Sequence, residues 1–314
     1  MFPYEYALIW KLLYVNIDLG IFGIPCNSLI SNSLIAVITP NVLAIIFSIA
    51  VSAIAMGILC YPLFVKWQRD RLMAQQFPKS CLSIIESNIS IYRSLTSEQQ
   101  KELQGYVQVF LKEKQFIGCL GLQITEEIEV TIAAIACLLL FSDRKTYFPN
   151  LRSILVYPTA YIVNEMVMNS YVVEERRVAR LGESWTKDQL VLSWEQVQQD
   201  ILNWHDGHNV VLHEFAHQLD QEDGKAEGVP ILPRAMDYAA WAKVMTAEYL
   251  QLCDRVENGN KTVMNSYGAT NPAEFFAVAT ETFFEKPKQL NQKHQDLYEL
   301  LQRYYRLDPQ QWQN

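Results

Sequence analysis

From residue 19 to residue 65 the chain carries no Asp, Glu, Lys or Arg. No other feature restricts its folding as strongly. The last 24 of those residues, VLAIIFSIAVSAIAMGILCYPLFV at 42–65, are apolar almost without interruption. A helix rises 1.5 Å per residue, so ~20 residues cross the ~30 Å hydrocarbon core of a bilayer. A core helix of a soluble protein normally shows a polar stripe, and this run has none. A cleaved signal peptide would have a shorter apolar core placed nearer the N-terminus. Residues 42–65 therefore read as a transmembrane helix in contact with the lipid bilayer. Pro62 lies near its end, where a kink is tolerated.

Lys66, Arg69, Arg71 and Lys79 follow this segment, whereas Lys11 alone, offset by Glu5 and Asp18, precedes it. The positive-inside rule then puts the C-terminal body in the cytoplasm. Residues 1–41 form an apolar leader. Within it, 19–38 is broken by Pro25, Asn27, Ser28, Ser31, Asn32 and Ser33. A single-pass chain is the preferred reading. A second, poorer span turning at Pro40 and Asn41, or a start placed too early, are its alternatives.

Once the N-terminal 65 residues are set aside, 25 basic and 32 acidic residues remain. No basic cluster with interleaved aromatics occurs, so a nucleic-acid surface is not indicated. Six scattered cysteines without a CxxC pair read as reduced and structural. Residues 66–89 read as a polar, juxtamembrane helical segment, within a helical stretch that extends to Gln115. Thr96 and Gln99 have the spacing of a capping box. Residues 126–141 read as a buried helix with acids at its N-terminal end. Residues 153–157 and 189–194 read as strands, with loops or short strands between them. Helices are expected over 209–221, 236–256, 272–284 and 290–306. This order describes one α+β domain, helix-rich with a small sheet, from roughly Leu82 onward.

The chemistry is concentrated in His213-Glu214-Phe215-Ala216-His217, an HExxH motif flanked by apolar Val210, Val211, Leu212 and Leu219. Residues four apart share a helix face, so His213 and His217 can ligate one metal ion. Glu214 then stands where a general base acts on the attacking water. Zinc needs a third protein ligand and an open position. Asn271 and Pro272 form a helix start, and Glu274 and Glu281 lie seven residues apart on one face of the apolar helix that follows. Glu274 is the preferred ligand, Glu281 its alternative. The acid that does not ligate can accept a hydrogen bond from a ligand histidine. Tyr267, seven residues before Glu274, is placed to donate to a developing oxyanion. Asp220 reads either as an acid orienting a ligand imidazole or as a surface acid at the helix end. His205 and His208 read as structural, and His294 as an isolated residue on a surface helix.

These motifs, taken in order, resemble the Mlc titration factor A (MtfA)-like zinc peptidases, a gluzincin group. The resemblance runs through Ser94-Leu95-Thr96, Leu155-Val156-Tyr157-Pro158, Gly182-Glu183-Ser184-Trp185 and Val191-Leu192-Ser193-Trp194. It continues through Gly207-His208-Asn209, the HExxH helix to Asp220, Gly228-Val229-Pro230 and Asn271-Pro272-Ala273-Glu274. It implies a zincin-like metallopeptidase domain over 90–314 and Zn²⁺ held by His213, His217 and Glu274. It further implies Glu214 as base, Tyr267 beside the site, and aminopeptidase-type activity on a peptide or protein substrate. The family is linked to sugar-uptake control through a transcriptional repressor. Residues 1 to about 70 have no counterpart in the soluble family pattern, so that partnership is not carried over. The alternative function is a regulatory protein that captures a cytoplasmic partner.

Overall fold

The computed structural model describes residues 40–141, 146–159, 161–169, 172–180, 182–186, 188–233 and 236–312. The possible second span at 19–38 lies outside them. The chain divides into two units, Met1–Val65 and Lys66–Asn314.

In the first unit, the described residues belong to the long helix α1, Pro40–Met73. Residues 44–73 are long and apolar enough to cross a membrane, and none is buried. Phe47 and Leu59, each 71% exposed, typify its side chains.

The second unit begins with the last turns of α1, which dock on the body through side chains. Arg69 makes a two-pronged bond to Glu113, at 2.7 and 2.9 Å. Its guanidinium also lies 4.5 Å from the centre of the Tyr147 ring. One of the four basic residues that follow the apolar run is thus engaged by the protein itself. Helix α2 (Lys79–Asn88) leads to α3 (Ser97–Glu113). The α3 start is the capping box read from sequence: Gln99 N–H donates to Thr96 Oγ1, and Thr96 N–H donates to Gln99 Oε1. At the far end the buried Lys114 ammonium donates to the carbonyls of Phe148 and Leu151. Burial pulls its pKa down to about 8.

The expected helical stretch ends at Glu113, and Gln115–Gly118 is strand β1. Four residues with alternating exposure are too short for periodicity to reveal. Helix α4 (Glu126–Cys137) is capped by Thr125, carries Glu126, Glu127 and Glu129 in its first turn, and is buried from Val130 onward. Its last expected turn, Leu138–Phe141, tightens to 3₁₀. Strand β2 (Ser153–Tyr157) matches the reading. The segment read as loops or short strands instead forms two antiparallel strands of nine residues each, β3 (Tyr161–Asn169) and β4 (Val172–Arg180), and strand β5 (Gly182–Thr186). Strand β6 (Gln189–Ser193) ends one residue early, because Ser193 caps helix α5 (Trp194–Leu202).

The main sheet has the order β1-β2-β6-β5. The first three strands are parallel and β5 is antiparallel to β6. Helices α6 (Val210–Asp220), α7 (Tyr238–Glu257) and α8 (Pro272–Glu285) follow. The expected C-terminal helix is two, α9 (Pro287–Lys293) and α10 (Gln295–Tyr305), broken at His294. His294 is buried there, and its Nδ1 lies 2.6 Å from Glu248 on α7. The surface assignment is therefore overturned: the break turns this residue inward. Among the described residues Cys81 and Cys137 are buried, and Cys60 is exposed.

The core lies between the sheet and the central helices. Phe215, inside the HExxH motif, packs on Phe148 and Phe110 with ring centres 4.8 and 5.7 Å away. On α8, Phe276, Phe283 and Phe284 meet Trp241, Tyr304 and Tyr305. The helix α6 is thus seated on aromatic packing through the residues between its two histidines.

Candidate metal centre

Helices α6 and α8 pack together, and each is started by a side-chain cap. Asn209 Oδ1 accepts from Leu212 N–H, and Asn271 Oδ1 accepts from Glu274 N–H. These caps set where the two helices begin, and hence which residues face each other. His213 and His217, one turn apart on α6, face Glu274 in the first turn of α8.

His213 Nε2 lies 3.0 Å from Glu274 Oε2. His217 Nε2 lies 3.2 Å from His213 Nε2 and 3.3 Å from Glu274 Oε2. Ligands at ~2.0–2.1 Å around a tetrahedral zinc stand ~3.3–3.4 Å apart, so three edges of that size fit one such ion. The chemistry of the donors points the same way. Two imidazole nitrogens and a carboxylate oxygen converging on one point suit a divalent cation as a shared partner. Their protonation is strongly coupled. Burial depresses the His213 pKa, but Glu274 and Glu281 overcome it and raise the imidazole to about 10. Burial raises the Glu274 pKa, but the two histidines hold its carboxyl down at about 2.

Glu281 is not part of the three-atom cluster. Its Oε1 accepts from His213 Nδ1 at 2.7 Å. Its Oε2 accepts the backbone N–H of Asn209, the cap residue of α6, at 2.6 Å. Glu214 is 6% exposed, and among the described residues no hydrogen bond reaches its carboxylate. Burial pushes its carboxyl up to about 6, against the pull of His213 and His217. Tyr267 stands on a 3₁₀ turn, Ser266–Ala269, opened by Asn265. Its ring centre lies 6.0 Å from that of His213, and the residue is 53% exposed.

Asp220 differs from the surface acid allowed by the sequence. It is 1% exposed and accepts the N–H groups of Gly228 and Val229, at 3.0 and 2.7 Å. Gly228 has φ +75°, and a Cβ there would lie 2.2 Å from the Pro272 carbonyl oxygen. The end of α6 and the start of α8 are thus tied through one loop, and only glycine fits the crossing. That tie sets the height of Glu274 relative to His217.

Sequence reasoning missed three buried groups at the head of α6. Asp200 on α5 accepts from Val210 N–H at 2.7 Å. Glu285 on α8 accepts from Gly207 N–H, His208 N–H and the Asn209 side-chain amide. Burial pushes its carboxyl up to about 8, although Asn209 and Gly207 pull it down. Asn209 itself both caps α6 and bonds Glu281 and Glu285. The signal for Glu285 was its spacing: with Glu274 and Glu281 it continues one acidic face on an apolar helix. His205 and His208 fall outside the three-atom cluster, as read. His208 approaches Asp200, which raises its pKa to about 9.

A model of the glucose-regulated metallo-peptidase M90 family matches residues 64–306. The chain belongs to that family. It is a metallopeptidase of the MtfA-like type. An uncharacterized protein of Synechocystis sp. is 43% identical over 268 residues, covering 85% of this chain and 97% of that protein. A match of that extent begins within about the first 50 residues and takes in most of α1. The Mlc titration factor A of Pectobacterium atrosepticum is 31% identical over 236 residues, 72% of this chain and 88% of that protein. That of Salmonella arizonae is 29% identical over 227 residues, 71% of this chain and 89% of that protein.

Proposed function

We propose that the chain is a membrane-anchored zinc peptidase working on the cytoplasmic side. His213, His217 and Glu274 hold the metal, Glu214 is the general base, and Tyr267 binds the oxyanion. The observation that carries this reading is the convergence of two imidazole nitrogens and one carboxylate oxygen at 3.0–3.3 Å, beside a buried, unbonded Glu214. Zinc bound there would lower the pKa of its water toward ~7 and polarise the scissile carbonyl.

The residues of the chain do the rest. Glu214, poised by burial between proton acceptor and donor, takes the proton from the attacking water and passes it to the leaving amine. Glu281 keeps His213 in the tautomer that turns Nε2 toward the metal. Tyr267 donates its phenolic hydrogen to the carbonyl oxygen as negative charge grows there. Its exposed position suits a group that meets substrate in the cleft.

Membrane anchoring is supported by the length, apolarity and exposure of residues 44–65, and by the share of α1 that the Synechocystis relative matches. The cytoplasmic side is supported by Lys66, Arg71 and Lys79 after the apolar run. The aminopeptidase form of the activity rests on the resemblance alone. A second reading, capture of a regulatory protein, draws on the relatives' name, Mlc titration factor A.

Glu214→Gln separates the readings. It should retain metal and lose hydrolysis of every peptide, by ~10²–10⁴-fold for a general base. Full activity in this variant contradicts the mechanism. A free against an acetylated N-terminus on one peptide series tests the aminopeptidase form.

A further inference from the structure

Two cavities flank residues 261–263, the strand of loop that leads into Tyr267. One, of about 290 Å³, is bordered by His208, Lys261, Ser266 and Lys286 among others. The other, of about 260 Å³, shares Lys261 and adds Arg255 and Lys293. Asp206 is the one acid among the residues lining either cavity. The chain as a whole has 34 acidic against 26 basic residues, so this local excess of positive charge runs against its composition.

The first cavity adjoins the metal centre. Ser266 on its wall immediately precedes Tyr267, whose ring lies 6.0 Å from that of His213. His208 on its wall lies close enough to His213 and Glu281 to feel their charges. Lys286 is aimed by packing. Its stem crosses Gly207 so closely that a Cβ there would lie 2.9–3.0 Å from Nζ, Cε and Cδ. Gly207, at φ +80°, both makes the turn before α6 and leaves room for the lysine. Among the described residues neither the Lys261 nor the Lys286 ammonium pairs with a carboxylate. Ammonium groups that outnumber the single acid on their cleft wall, Asp206, favour an incoming anion.

We propose that the two cavities form a cationic track that binds carboxylates of the peptide substrate, so that the enzyme prefers acidic peptides. The proposal rests on the peptidase reading and names its substrate class. Lys286 and Lys261 supply the charge nearest the metal centre, and Arg255 and Lys293 extend it. The carboxylates come from Asp and Glu side chains or from the peptide C-terminus.

The test measures binding by fluorescence anisotropy with the full-length Glu214→Gln protein in detergent, loaded with zinc. Four labelled octapeptides are compared: Glu-rich and Gln-rich, each with a free or an amidated C-terminus. The Glu-rich or free-terminus peptides should bind roughly 10-fold more tightly, about one charge contact's worth, and lose that advantage at high salt. Dependence on Glu rather than amidation assigns the track to side chains, and the reverse assigns it to the terminus. In the Lys261→Met, Lys286→Met double variant the acidic-to-neutral ratio should fall toward one. Methionine keeps the stem across Gly207, and a circular dichroism spectrum confirms folding. Equal affinity for all four peptides, or a preference that survives the double variant, overturns the proposal. Hydrolysis by the wild-type chain is read on the same peptides. Lysine-dependent binding without hydrolysis refutes the peptidase reading and leaves the track standing. Hydrolysis without acidic preference does the opposite.

Discussion

Glu281 bonds two groups that belong to different parts of the architecture: the imidazole of His213 and the backbone of Asn209 at the head of the same helix. One carboxylate thereby ties the ring of His213 to the start of α6. A glutamine there offers one acceptor oxygen and can satisfy only one of the two donors. Glu281→Gln should therefore weaken metal binding by ~10–100-fold, the usual effect of losing a partner to a ligand histidine. Competition with a graded series of chelators reads this directly, and unchanged affinity contradicts the role. The meeting of His213 and His217 with Glu274 was legible in the sequence, because helix spacing and an Asn-Pro helix start are local signals. The second bond of Glu281 was not, since Asn209 is 72 residues away along the chain. His294 was misread, and the surface alternative for Asp220 fails, for the same reason. Each is buried by a segment distant in the fold, and a polar residue read alone defaults to the surface.

At the scale of elements, the start of α6 is held by acids rather than by apolar packing alone. Asp200, Glu281 and Glu285 all accept from the backbone N–H groups at 207–210, which the first turn of α6 leaves without intrahelical partners. His208 borders this cluster and pairs with Asp200. Its imidazole is raised to about 9 in the folded chain, chiefly by the Asp200 bond, against 6.5 for the free group. Below pH 6.5 both folded and unfolded chains hold the proton, and the pair contributes in full. Between 6.5 and about 9 the unfolded chain has released it and the folded one has not, so the contribution falls with rising pH. The melting temperature should decline across that window, and His208→Ala should flatten the decline. An equal decline in the variant contradicts it. Two capped helix starts were legible in the sequence, at Thr96 and Asn271. Strand β1 and helix α5 were not: one is four residues long, and the other begins where a strand signal was still running.

At the scale of the whole molecule, the chain joins an apolar segment, uncharged over 19–65, to an acidic body, and its mean hydropathy of zero averages the two. With the body in the cytoplasm, protease added to sealed right-side-out vesicles should leave residues 66–314 intact, and inverted vesicles should expose them. Cleavage of the body from the outer face would reverse the topology. The docking of Arg69 on Glu113 and Tyr147 belongs to the body and was invisible in sequence, where Arg69 counts only as a flanking charge. The central claim is that three side chains from two capped helices hold one zinc ion. Zinc-edge X-ray absorption on the purified full-length chain tests it most directly. The expected spectrum has two imidazole nitrogens and oxygen ligands at ~2.0–2.1 Å, with the zinc lost in Glu274→Ala. A chain without zinc, sulfur in the coordination shell, or full zinc retention in that variant would contradict it.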